Sequence, residues 1–205
     1  MEQRASDLFS SRDLESLSAL VSSAWRSGFT RDWSVSAGTL EWTCTKTADH
    51  AVDTVLAPAI FLASRKLDRY PELGWNTRMG PDARPEQLVE GLETATRILT
   101  AVIDAAPPGT RAVIRRRPEV QTAGPQDFAP RAGLELILHA HDVCSGLAIE
   151  FEPPTGLCAR LREHTRNWPA WGLSQPTWTE PPNTNDPWSD LLQASGRHRQ
   201  HRHEG

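Results

Sequence analysis

Apolar positions recur three or four residues apart along most of this chain, the spacing of helices with one buried face. Leu8, Leu14, Leu17, Leu20, Val21 and Trp25 draw such a stripe over residues 4–28, with a helix start expected at Ser10 or Ser11 and a stop at Gly28. A second helix is expected from about Thr39–Thr43 to Asp68, with Val52, Val55, Leu56, Ala59, Leu62 and Ala63 as its core stripe. Pro58 lies inside that run and predicts a kink, because its ring removes a backbone donor and crowds the preceding turn. Residues 71–84 read as a turn-rich loop. A third helix starts after Pro85, carries Leu88, Leu92, Ala95, Ile98, Leu99 and Val102 on one side, and stops before Pro107-Pro108-Gly109. Ala112-Val113-Ile114 reads as a short extended piece, while Pro118, Gly124, Pro125 and Pro130 mark the rest of 110–130 as loop. A fourth helix is expected over about Ala132–Leu147 and a fifth over Thr155–Asn167. Four long helices with no alternation of strands predict an all-α bundle.

Composition changes this picture at the C-terminal end. Eight Trp stand against one Tyr, and Trp168, Trp171, Trp178 and Trp188 fall in a Pro-rich stretch. So much indole suits an ordered wrap packed on the bundle better than a flexible linker. We therefore expect one domain over 1–196, including that extension, and a flexible basic tail over 197–205 beginning RHRQHRH. The net charge of −4 gives no reason to expect nucleic acid or an anionic membrane as partner. Cys44, Cys144 and Cys158 are odd in number and form no C-x-x-C pair, which fits reduced, buried thiols and a cytoplasmic setting. The N-terminal MEQRASDLFSS lacks the apolar core of a signal peptide, and no run approaches the ~18 apolar residues of a membrane span. Exposed indoles in the wrap would suit a homodimer seam.

The candidate chemistry sits on the fourth helix, GLELILHAHDVCSGL. At about 100° per residue, Glu135, His139 and Asp142 fall within about 60° of one another, with Gly146 on the same line. A Glu and a His one turn apart can share a metal ion, and a cation offsets the cost of placing such groups inside a bundle. His141 points about 160° away from His139 and is expected to pack between helices or lie at the surface. The third ligand has to come from another helix, and His50 is the candidate, on the face of the second helix shared with Ala57 and Phe61. Two His and one Glu leave at least one coordination position open, as catalytic centres require. Asp49 and Asp53 are read as exposed, and His164 as a surface histidine. Arg78, Arg115, Arg116 and Arg117 are basic residues in expected loops, any of which would suit a carboxylate ligand.

Three segments resemble the mycothiol-dependent maleylpyruvate isomerase family of DinB-like bundles. Trp42-Thr43 through His50 is similar to the family's lead-in to a metal-binding histidine. Glu135 through Asp142 resembles its second signature, and Asp186-Pro187 through Gly196-Arg197 resembles the close of many members. The resemblance implies an up-down-up-down four-helix bundle holding zinc or a similar divalent ion at His50, Glu135 and His139, with Asp142 supporting the centre rather than coordinating. It implies a transferase or isomerase in which the metal activates a low-molecular-weight thiol, mycothiol, against a small electrophilic substrate. Two rival readings use the same scaffold. One is a metal-dependent hydrolase or cyclase that needs no thiol; the other is a non-catalytic bundle whose metal is structural or absent.

Overall fold

The computed structural model describes residues 8–72, 78–80, 82–116, 119–166, 168 and 179–199. The chain is mostly helical, with six helices and one two-stranded sheet among the described residues. Those residues fall into two compact units, Ser10–Phe151 and a second drawn from both ends of the chain, Met1–Phe9 with Glu152–Gly205.

In the first unit, α1 (Ser11–Ser27) opens on a reciprocal cap. Ser10 Oγ accepts from the Asp13 amide at 3.3 Å and Asp13 accepts from the Ser10 amide at 3.0 Å, so two otherwise orphaned donors are satisfied. Leu14, Leu17, Val21 and Trp25 form its buried stripe, while Leu8 lies outside the helix and is exposed. Helix α2 (Cys44–Ser64) starts one residue after the expected window, because Thr43 is its cap and accepts from the Lys46 amide at 3.1 Å. It runs through Pro58 and ends earlier than Asp68, where Arg65 turns into the left-handed region at φ 51°. Val52, Val55, Ala59 and Leu62 are buried as expected; Leu56 is half-buried and Ala63 exposed.

Helix α3 (Pro85–Asp104) places its proline at the first turn, where no backbone donor is lost. Leu88, Leu92, Ala95 and Leu99 are buried, whereas Ile98 faces out. The expected extended piece is strand β1 (Ala112–Arg115), paired antiparallel with β2 (Gln121–Ala123) and tied to the end of α2 by the Val113 amide donating to the Lys66 carbonyl at 2.8 Å. Arg115 is therefore a strand residue and not a loop residue. Helix α4 (Phe128–Gly146) starts four residues before the expected Ala132, since Pro130 sits in its first turn and breaks nothing there.

Helices α2 and α1 each pack against both α3 and α4. Most of α4 is buried, and it approaches the start of α2 closely. A Cβ at Gly146 would run into the Ser36 carbonyl oxygen and come within 2.6 Å of Cys44 Sγ.

The second unit contains α5 (Thr155–Thr165), which ends before the expected Asn167, and α6 (Pro187–Ala194). Asp186 caps α6 by accepting from the Ser189 amide at 3.2 Å, and Pro187 takes the first position. Trp188 is fully buried, Trp168 is half-buried, and Trp171 and Trp178 lie outside the described residues. Arg162 of α5 is ion-paired with Asp190 of α6. Asp190 also accepts from the Thr184 amide at 2.9 Å and its hydroxyl at 2.7 Å. The basic end is anchored as far as Arg199, which lies 2.9 Å from both Glu152 and Asp186; residues 200–205 fall outside the described residues. Among the described residues no helix is long and apolar enough to cross a membrane.

Candidate metal centre

Two helices of the first unit supply the site. Glu135 and His139 project from adjacent turns of α4, as their four-residue interval dictates, and His50 comes from the second turn of α2. Their ligand atoms all lie within 4.8 Å of one another. The two imidazoles meet edge to face with centroids 5.0 Å apart, and His139 Nε2 is 3.6 Å from Glu135 Oε2. Side chains of His139 and Glu135 are 12% and 22% exposed, so the cluster is sunk below the surface without being sealed. The three residues read from the sequence are brought together.

The outer nitrogens are occupied. His139 Nδ1 is 3.2 Å from Asp142 Oδ2, and the Asp142 side chain is only 3% exposed. A buried carboxylate on Nδ1 favours a proton there and leaves Nε2 beside Glu135, the arrangement that commonly supports a coordinating histidine. Arg78 Nη2 donates to His50 Nδ1 at 3.0 Å, and Arg78 Nε is 4.0 Å from Asp53. Of the candidate arginines, Arg78 is the one hydrogen-bonded to a site histidine. Arg116 is exposed, and Arg117 lies outside the described residues. Trp42 packs edge to face against His50 at 5.3 Å, with Lys46 Nζ 4.5 Å from the indole centroid.

Charge is divided unevenly between the two imidazoles. Burial, the neighbouring His139 and the Arg78 guanidinium outweigh the pull of Glu135 and bring His50 down to about 4, so its ring is neutral at pH 7. Burial alone would lower His139 too, but its contacts with Asp142 and Glu135, and their negative charges, raise it above the ordinary imidazole value. Burial alone would raise Glu135, yet its contact with His139 and the charge of Arg131 hold it down at about 2. Once a ring nitrogen of each histidine is freed of its proton or its hydrogen bond, the site would offer two imidazole nitrogens and an ionised carboxylate, a donor set suited to a divalent ion.

Other expectations are revised. Asp49 is not exposed. It is 5% exposed and accepts from the Met79 amide at 2.6 Å. Its spacing already carried the signal, since Asp49 precedes Val52 by three residues and so lies on the buried stripe. Asp53 is half-buried. His141 is buried, and His164 is half-buried against Trp168 instead of lying at the surface. All three cysteines are buried and reduced, and burial pushes Cys44 up to about 11 and Cys144 and Cys158 up to about 12. They are packing residues with no thiolate at neutral pH. Compared with known protein families, with curated proteins and with solved structures, the chain finds no match.

Proposed function

We propose that this protein is a metal-dependent enzyme of the mycothiol-dependent maleylpyruvate isomerase type, built on an up-down-up-down DinB-like bundle, and that it joins a small thiol to an electrophilic metabolite or isomerises one. The observation that carries this reading is the convergence of His50, Glu135 and His139 from two helices, with a buried carboxylate behind His139. Three protein ligands leave a position for an exogenous group. A divalent ion held by His50, Glu135 and His139 would supply Lewis acidity that lowers the pKa of a thiol bound beside it.

The chain's own residues have separate tasks. Asp142 holds the His139 ring in the coordinating tautomer, Glu135 brings the negative charge that offsets a cation, and Trp42 packs against His50 and limits water on that side. None of the three cysteines suits a nucleophile, which favours a thiol supplied from outside.

The test has two stages. Elemental analysis should find about one equivalent of zinc or a similar ion in wild type truncated after Gly196, and none in the same protein carrying Glu135→Ala. Metal-loaded protein is then given an electrophilic probe with and without mycothiol. Conjugate formed only with mycothiol supports the reading. Turnover that ignores the thiol would replace it with a hydrolase or cyclase, and no metal in wild type would end it.

A further inference from the structure

The contact between Asp49 and the Met79 amide is accompanied by a second contact at the same residue. A Cβ on Gly91 of α3 would come within 2.7 Å of Met79 Sδ, so the thioether rests against the bare backbone of that glycine. Met79 is thus held at its amide by the buried Asp49 carboxylate, with its thioether resting on Gly91. This pinning sets the neighbouring Arg78 with its guanidinium 3.0 Å from His50 Nδ1.

That bond has a chemical consequence. A guanidinium only donates, so Nδ1 of His50 must offer its lone pair and the neutral ring carries its proton on Nε2. Coordination through Nε2 needs the proton moved to Nδ1, where it would face the Arg78 donors. Coordination through Nδ1 uses the very lone pair that Arg78 holds. Either way the Arg78–His50 bond has to break before His50 can bind a cation, and a fixed positive charge has to give way to another.

We infer that Asp49 is a positioning residue, which holds Arg78 against His50 through the Met79 backbone and thereby weakens the centre's hold on its metal. The second half of this statement rests on the metal reading above; the first half does not. When the metal enters, Arg78 is released on the outer side of His50, with Asp53 within 4.0 Å to receive it.

Two measurements test the halves separately. In metal-free, ¹⁵N-labelled protein, long-range ¹H–¹⁵N correlation reads the tautomer of the His50 ring. Wild type and Asp49→Asn, whose amide oxygen can still accept from Met79, should show the proton on Nε2. Asp49→Ala should lose that preference. Zinc affinity is then measured by competition with a chromophoric chelator. Asp49→Ala and Arg78→Gln should each bind zinc roughly tenfold more tightly than wild type, Asp49→Asn should match wild type, and the double variant Asp49→Ala/Arg78→Gln should bind no more tightly than either single one. An unchanged His50 tautomer and unchanged zinc affinity in a folded Asp49→Ala protein would overturn the inference, as would additive effects in the double variant. A changed tautomer with no zinc bound by any form would keep the positioning role and remove the metal reading.

Discussion

The chain contains two buried charged clusters, and they are built on opposite plans. In the second unit, Arg162 meets Asp190, whose other lone pairs are taken by the Thr184 amide and hydroxyl, while the Thr184 carbonyl accepts from Arg162 at 2.9 Å. Positive and negative charges cancel, and the chain itself fills the other polar positions save Arg162 Nε, which is buried without a hydrogen-bond partner. In the first unit, Glu135, His50 and His139 turn three electron-pair donors toward one point. Both clusters are costly to desolvate. What separates them is charge: the first arrangement pairs a cation with an anion of the chain, whereas the second gathers donor groups that, on the function proposed above, an outside cation would complete.

This contrast predicts different responses to damage. Asp190→Ala leaves the Arg162 guanidinium buried without its carboxylate, and should cost ~3–5 kcal/mol of stability in urea unfolding. Glu135→Ala in metal-free protein should cost only about 1 kcal/mol. The order should reverse in sensitivity to zinc. Zinc at a hundred times its Kd should stabilise wild type by about 2.7 kcal/mol and Asp190→Ala equally, but Glu135→Ala not at all. Zinc stabilisation of equal size in Glu135→Ala would dissolve the distinction between the clusters.

A smaller effect sharpens the same comparison. Asp142→Asn should retain the fold and bind zinc about 10- to 100-fold more weakly, because the His139 tautomer is no longer held by a carboxylate. Chelator competition on the folded variant measures this directly.

The smallest effect concerns the thiols, which belong to neither cluster. Their pKa values of about 11 to 12 in the folded chain exceed the ordinary thiol value of 9.0. The folded state therefore holds these protons after the unfolded state has lost them. Stability is intact below pH 9 and declines as pH rises from 9 toward 12. At neutral pH, Ellman's reagent should label all three only after unfolding.

Much of this was readable beforehand because helices repeat. Glu135, His139 and Asp142 share a stripe by arithmetic alone, and one histidine on a neighbouring helix completed the set. Other features depend on contacts that periodicity does not encode. Gln121-Thr122-Ala123 is too short and too polar to announce a strand, and it becomes one only because β1 lies beside it. Pro130 resembles a loop marker until its place in the first turn of α4 is known. Asp186-Pro187 carries a plain cap-and-proline start for α6, a signal that is fully local. At Asp49 residue type and position compete: a carboxylate suggests solvent, but on this core stripe the Met79 amide satisfies it. Nothing local could have picked Arg78 from its fellow arginines, since its role depends on a segment folding back over α2.

The tight approach at Gly146 has one further consequence. His50 lies six residues beyond Cys44, and His139 seven before Gly146, distances of about 9 and 10.5 Å along their helices. The contact between Cys44 and Gly146 therefore acts as a registration mark, from which two nearly equal intervals are counted off in opposite directions to the same level. Losing a single residue from either interval would swing its histidine by about 100°, so these two spacings tolerate far less editing than the loops that join them.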